Sequence, residues 1–309
     1  MNKFRVIDCD IIYISYDEPN AEKNYADLCS KVPWAERVHG VKGSDSAHKA
    51  AAKLSNTERF ITIDGDNRIR DDFLTQTIDF NSDVDLTNKV ISWTAKNSIN
   101  GLTYGNGGIK CWPKQHVLNM RTHENADPNN PHAQVDFCWD TEYVQMNGTF
   151  SDIYNNSTPH QAWRAGFREG VKMSLDRGLR VTPEKFYNNH WKNLHRLYIW
   201  LMVGADVENG LWAIYGAREG LYKTMCTDWD FVHVRDFDWL NSYWHNSGIE
   251  NFDQLELLEK TEELGVSLRT HLSLPISISP LDSEQSKFFK TVYQNPARDN
   301  SKKFLDREI

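Results

Sequence analysis

Apolar, β-branched residues come in short runs through the first third of the chain, separated by turn formers. Asp10-Ile-Ile-Tyr-Ile-Ser15 is the first run, closed by Asp17-Glu-Pro-Asn20; it predicts a buried strand followed by a turn. Ala21–Lys31 predicts a helix stopped by Pro33. Residues 37–41 predict a second strand. Residues 47–54, rich in Ala and Lys, predict a second helix with Ser44 or Ser46 as its cap. Residues 60–63 predict a third strand, which runs straight into Asp64-Gly-Asp66. This alternation implies parallel strands joined by right-handed crossovers.

Further along, residues 89–94 predict another strand, and the Gly/Asn-rich stretch 100–108 punctuates the chain before Ile109-Lys-Cys-Trp112. Residues 121–134 are polar, carry two prolines and show no periodicity, which reads as a long surface loop. A helix is expected over 160–175, a mostly helical region over 183–220, an acidic and aromatic region over 226–264, and a polar tail after Glu284. The expected class is therefore α/β, with a mainly helical C-terminal extension. The expected division is 1–180 for the α/β domain and 181–309 for the mainly helical extension.

Composition narrows the function classes. The chain has 309 residues, 39% of them apolar and 25% charged, enough for a sizeable core in one large domain or two modest ones. Its 11 Trp, 12 Tyr and 14 Phe suit the lining of sugar or base sites as well as core packing. A net charge of −8 excludes a chain-wide basic coat for nucleic acid but leaves room for one basic face. The five cysteines form no Cys-x-x-Cys pair, so neither a disulfide framework nor a zinc site is indicated, and reduced thiols in a cytoplasm are expected. The N-terminus lacks a signal-peptide core. The longest apolar run, 197–205, is far below the ~20 residues that span a bilayer, so a protein acting in solution and not at a membrane is expected.

Asp64-Gly65-Asp66 is the sharpest chemical feature. Two carboxylates just past a buried strand project at the carboxyl edge of the sheet, where open α/β sheets bind ligands. Carboxylate oxygens suit a hard divalent cation, Mn²⁺ or Mg²⁺, that bridges to a diphosphate. Asp-Gly is also a common turn dipeptide, so the motif gains its meaning from its place at the third strand.

Three segments in order carry a resemblance: Ile14-Ser-Tyr-Asp-Glu-Pro-Asn20, Gly43-Ser-Asp-Ser-Ala-His-Lys-Ala-Ala-Ala52 and Phe60-Ile-Thr-Ile-Asp-Gly-Asp-Asn67. Together they resemble the nucleotide-sugar-binding half of GT-A-fold glycosyltransferases, over roughly residues 8–170. The resemblance implies a Rossmann-like mixed sheet flanked by helices and a UDP-sugar donor. It places Asp17 and Glu18 near the nucleoside base, and His48 and Lys49 on the helix that approaches the donor, where Arg-Asn is more usual. It implies Asp66 as a direct metal ligand and Asp64 as a ligand of the ribose or of a metal-bound water. Lys49 is then a candidate diphosphate partner, although it equally suits a solvated helix face.

Further candidates follow from the same frame. In Tyr104-Gly-Asn-Gly-Gly-Ile-Lys-Cys-Trp112, Gly107 and Gly108 would let backbone approach a ligand and Trp112 would offer it a ring; a bulged hairpin with a core tryptophan is the competing reading. Asp136-Phe-Cys-Trp-Asp140 falls where inverting members of the fold carry an acidic general base. Asp140 is the first choice and Asp136 the second, while a retaining course would need no such base. His160 is the candidate third metal ligand, with His123 and His132 as weaker rivals, and Arg164 is a candidate donor contact in Gln161-x-x-Arg164.

Residues 171–200 hold six Lys/Arg against two Asp/Glu, with Phe186, Tyr187, Trp191, Tyr198 and Trp200 interleaved. Basic residues mixed with aromatics suit a phosphate backbone and an unstacked base. An amphipathic helix with its rings in the core fits the same pattern. Residues 13–25 and 37–43 resemble glycosyltransferases of tailed bacteriophages that place glucose or arabinose on 5-hydroxymethylcytosine, which makes DNA the leading acceptor. A glycan, lipid or protein acceptor and a non-catalytic nucleic-acid or carbohydrate-binding relative are the alternatives. A sugar nucleotidyltransferase would need a Gly-rich N-terminal loop that this chain lacks.

Overall fold

The computed structural model describes residues 3–80, 85–104, 107–125, 127, 129, 137 and 141–294. The chain divides into two compact units, one of Met1–Ser98, Thr103–Asn155 and Arg177–Leu179, the other of Ile99–Leu102, Asn156–Asp176 and Arg180–Ile309. The second unit thus takes up the chain mainly from Asn156, and the helix that follows packs against other helices of that unit.

The first unit is a mixed α/β structure. Its strands are β1 (Lys3–Arg5), β2 (Asp10–Ser15), β3 (Glu36–His39), β4 (Arg59–Asp64), β5 (Asn67–Ile69), β6 (Thr77–Asp79), β7 (Val90–Asn97), β8 (Thr103–Tyr104), β9 (Ile109–Pro113) and β10 (Tyr143–Ile153). Its helices are α1 (Ala21–Lys31), α2 (Ser44–Leu54) and α3 (Lys114–Asn119). β1 and β6 form an antiparallel ribbon. The remaining strands form one sheet in the order β3-β2-β4-β9-β7-β10-β5, with β8 on β7. Only β3, β2 and β4 make the expected parallel run. β9 enters antiparallel to both β4 and β7, and β10 returns parallel to β7, so the sheet is mixed.

Alternation within the strands builds two cores. Ile11, Tyr13, Ile61 and Ile63 point to one face with Leu28 and Val32 from α1 and its end, while Ile12 and Phe60 point to the other with Ala51 and Ala52 of α2. The two crossover helices therefore cover opposite faces. α2 begins three residues earlier than the sequence predicts and is not capped by a serine. Glu124 supplies the cap: its carboxylate accepts the backbone N–H of Ser44 at 2.6 Å and of Asp45 at 3.1 Å.

The second unit is helical: α4 (Pro159–Ser174), α5 (Trp191–Met202), α6 (Gly210–Cys226), α7 (Phe237–Asn246), α8 (Gln254–Leu272) and α9 (Ser283–Phe288). The stretch after Glu284 that reads as a polar tail is helical as far as Tyr293. Helices α4 and α6 meet through glycine. Side chains at Gly166 and Gly170 would collide with the carbonyls of Ala213 and Ala217, and side chains at Gly216 and Gly220 with those of Trp163 and Phe167. Fully buried Arg218 donates to the carbonyls of Leu201, Thr261 and Ile278, tying α6 to three neighbouring segments. Among the described residues, no helix is long and apolar enough to cross a membrane.

Candidate active site

β2 and β4 are parallel neighbours, with Ile14 opposite Asp64, so their carboxyl ends open on the same edge. The chain leaving β2 carries Asp17 and Glu18; β4 ends on Asp64, and the chain leaving it carries Gly65 and Asp66. The carboxylate of Glu18 lies directly over Gly65, where a Cβ would come within 2.7 Å of the Glu18 carboxyl carbon. Glu18 is held there by the backbone N–H of Tyr16, which donates to its Oε2 at 2.8 Å.

The turn beneath is fixed from three sides. The hydroxyl of Tyr13 donates to the Gly65 carbonyl at 2.5 Å, and Asn24 Nδ2 donates to the same oxygen at 3.0 Å. The backbone N–H of Tyr154 donates to the carbonyl of Asp66 at 2.7 Å. Asp66 Oδ1 accepts from Asn67 Nδ2 at 2.7 Å.

The crowding shows in the carboxyls of Asp66 and Glu18, both of which hold their protons more tightly than usual. Burial, then the charges of Asp64 and Glu18, push the Asp66 carboxyl up to about 6. Burial raises Glu18 as well, assisted by Asp17 and Asp64 and opposed by the N–H donated from Tyr16. The cation on this edge is Lys110, whose side chain is 11% exposed and whose Nζ stands 3.6 Å from Asp64 Oδ2.

His48 borders Asp64 on the α2 face. Its Nδ1 lies 2.8 Å from the Ser44 carbonyl, which only accepts, so Nδ1 carries the proton and Nε2 is the free-electron-pair nitrogen of the neutral ring. The ring lies 5.4 Å from Trp112 and 4.6 Å from Phe137, and burial lowers its pKa against the opposing pull of Asp64.

The other sequence-predicted residues fall as follows. Asp17 is exposed beside Glu18. Lys49 is bound to Asp45 of its own helix, at 3.0 and 2.9 Å, so the predicted diphosphate cation is already engaged. Trp112 is fully buried and donates from Nε1 to Thr62 Oγ1 at 2.8 Å; the expectation that it offers a ligand its face is corrected, because the ring fills the core between the sheet and α2. Gly107 and Gly108 are correspondingly packing glycines: side chains there would collide with Ala95 and Asn67. Asp136, Asp140 and His132 lie outside the described residues. His123 sits in a short helical turn with its ring 5.8 Å from Phe137.

His160 and Arg164 belong to the helical unit. The His160 ring stacks on Trp163 at 5.9 Å and lies 5.2 Å from Trp244, and the Arg164 guanidinium sits 4.8 Å over the ring of Phe237. Among the described residues, no group of three or more His, Cys, Asp and Glu side chains converges to hold a metal ion.

Residues 171–200 split by exposure. Phe186 and Trp200 are buried and cannot meet a nucleic acid, which corrects that part of the expectation. Tyr187 and Trp191 are exposed, Trp191 at 67%, and Lys192 Nζ lies 5.6 Å from the Trp191 ring. Lys185 and His195 are exposed on the same stretch.

Lys110, Tyr13, Asn24 and Glu124 were missed from sequence. Two of them left a signal. Lys110 is a lysine inside an otherwise apolar strand, and Asn24 sits between Ala21 and Leu28 on the buried stripe of α1. No protein-family model matches the chain, and no similar curated protein is found.

Proposed function

We propose that this chain is a metal-dependent glycosyltransferase that moves a sugar, arabinose or glucose, from a UDP-sugar to the hydroxymethyl group of 5-hydroxymethylcytosine in DNA, as the bacteriophage enzymes it resembles do. The observation that supports this reading best is the gathering of Glu18, Asp64 and Asp66 about the Gly65 turn at the carboxyl edge of β2 and β4.

The donor set fits Mn²⁺ or Mg²⁺. Such ions are commonly held by one or two carboxylates, with water and substrate phosphate completing the shell, so Asp66 and Asp64 suffice without a third protein ligand. When bound, the cation neutralises the charge that develops on the leaving nucleoside diphosphate. Asp66, whose carboxyl is crowded by two others, gains most from a cation beside it. Lys110, 3.6 Å from Asp64 Oδ2, balances its charge. Glu18 and Asp17 border the space for the nucleoside.

The acceptor hydroxyl attacks the anomeric carbon as the bond to the diphosphate breaks, and its proton passes to a carboxylate base. Asp140 is assigned that role on sequence grounds, with Asp136 second. Tyr187 and Trp191 offer exposed rings to an unstacked base, with Lys185 and Lys192 beside them for the phosphates.

The test is a transfer assay read by mass spectrometry, with Mn²⁺, a panel of UDP-sugars and hydroxymethylcytosine-containing DNA. A pentose or hexose mass gain on the nucleoside, absent from cytosine DNA, is the expected result. Metal-dependent hydrolysis of one UDP-sugar without DNA modification would move the acceptor to a glycan or protein. No metal-dependent UDP binding at all would overturn the reading.

A further inference from the structure

One face of α6 carries Tyr215, Glu219 and Lys223, one helical turn apart, and lines a pocket of 310 Å³. Tyr243 of α7 and Lys260 and Glu263 of α8 complete its walls. All six residues belong to the helical unit.

The pocket is built around a buried carboxylate. Glu219 Oε2 accepts from Trp163 Nε1 at 2.8 Å and Oε1 accepts from the Tyr243 hydroxyl at 2.6 Å, so both oxygens have partners and the floor is fixed. Tyr243 is held in turn by Trp239, stacked at 4.9 Å and 9°, and Lys223 Nζ stands 4.5 Å from the Tyr243 centroid. Lys260 and Glu263 pair with each other at 2.9 Å.

Two groups remain with hydrogen-bonding capacity unused. The Lys223 ammonium forms no ion pair or hydrogen bond among the described residues. The Tyr215 hydroxyl forms none either, although the residue is only 6% exposed and lines the pocket. Both line the pocket, where a ligand with acceptor oxygens can take the hydrogen bonds that water otherwise accepts from them. The lining carries two lysines and two glutamates, so its formal charge is balanced and a strongly charged ligand gains little. The volume is at the small end for ligand sites. Aromatic walls, balanced charge and a few fixed donors suit one polyhydroxylated ring.

We propose that this pocket binds a single neutral monosaccharide ring, with hydroxyl groups accepting from Lys223 and Tyr215. Its lining shares no residue with the carboxylate edge, and it requires neither Asp64 nor Asp66.

The test is saturation-transfer NMR on the full chain with free glucose, galactose, arabinose and N-acetylglucosamine, with inorganic phosphate and acetate as anionic probes. One of the sugars is expected to bind saturably. Tyr215→Phe, which removes only the hydroxyl, and Lys223→Met, at a half-buried position, should each weaken it roughly five- to tenfold. Both variants should keep the unfolding temperature of the parent. Asp66→Asn should bind the sugar as the parent does, which separates this site from any donor site on the sheet. Four outcomes would each overturn the proposal: no saturable sugar binding, sugar binding that survives both pocket variants, loss of sugar binding in Asp66→Asn, or Lys223-dependent binding of phosphate or acetate without sugar.

Discussion

The Glu18 carboxylate occupies the space where a side chain at Gly65 would be, its carboxyl carbon 2.7 Å from the position of a Cβ. The residue between the two aspartates is therefore small because a third carboxylate from a neighbouring strand end lies across it. Gly65→Ala should displace Glu18 and break its hydrogen bond from Tyr16. Because the obstacle is the end of a flexible side chain, the stability cost should be modest, about 1 kcal/mol. In a Glu18→Ala background the same substitution should cost almost nothing. Denaturant unfolding of the four chains measures this coupling; equal costs in both backgrounds would show that Gly65 answers to something else.

Asp66 sets a pH dependence. Its carboxyl is raised to about 6, so the folded chain holds this proton more tightly than the unfolded chain does. Folded stability is thus favoured while Asp66 is protonated and is lost as pH rises from the ordinary carboxylate range through about 6, by roughly 2–3 kcal/mol. Asp66→Asn should be more stable than the parent by about that amount near pH 7, the gap closing near pH 4. The same variant should lose Mn²⁺-dependent UDP binding in calorimetry, and Mn²⁺ affinity of the parent should rise with pH through the same window. A parent and variant with parallel stability profiles would remove Asp66 as the crowded carboxylate.

Lys110 is the cation beside Asp64. Lys110→Met keeps the length of the side chain and removes the positive charge that stands 3.6 Å from Asp64 Oδ2. Mn²⁺-dependent UDP binding should weaken about tenfold, or about 1.4 kcal/mol, whereas Lys49→Met, which removes the partner of Asp45, should leave it nearly unchanged. Calorimetry on both variants decides between the two lysines.

Trp191 and Phe186 lie five residues apart in the chain and have opposite fates. Trp191→Ala should leave the unfolding midpoint unchanged and reduce affinity for hydroxymethylcytosine-containing DNA by about 1–3 kcal/mol, the worth of one stacked base. Phe186→Ala should destabilise the fold by about 3–5 kcal/mol. Gel-shift titration and urea unfolding of both variants provide the check; DNA affinity unaffected by Trp191→Ala would remove this face as the acceptor contact.

Legibility of the sequence followed local physics. β2 and α1 have the bounds predicted from sequence, because an apolar run meets a Pro-Asn turn and a helix meets Val32 and Pro33. The Asp64–Asp66 turn was legible because a buried strand ends on it. β10 was not, since Tyr143–Ile153 is half polar and bulges around Gly148, and its pairing with β7 is a long-range fact. The antiparallel entry of β9 was equally hidden, and with it the reason Trp112 is buried and Lys110 comes to Asp64. Asn24 and Tyr13 act through the Gly65 carbonyl, a contact that forms only once α1 and β2 are packed. The helical unit claimed α4 for a reason visible only in three dimensions, its glycines against α6.

That glycine contact has a consequence for how the helical unit tolerates change. Where carbonyls of one helix sit against bare Cα atoms of the other, the backbones themselves are the mating surfaces, and rotamer adjustment offers no slack. α4 and α6 then behave as a keyed joint: sliding either helix by one residue would drive Gly166, Gly170, Gly216 and Gly220 out of register with their carbonyls together. Trp163 of α4 and Glu219 of α6 ride on that joint, so their hydrogen bond is set by the backbone fit. Divergence in this unit should therefore collect on the outer faces of α5, α7 and α8, while positions 166, 170, 216 and 220 stay glycine.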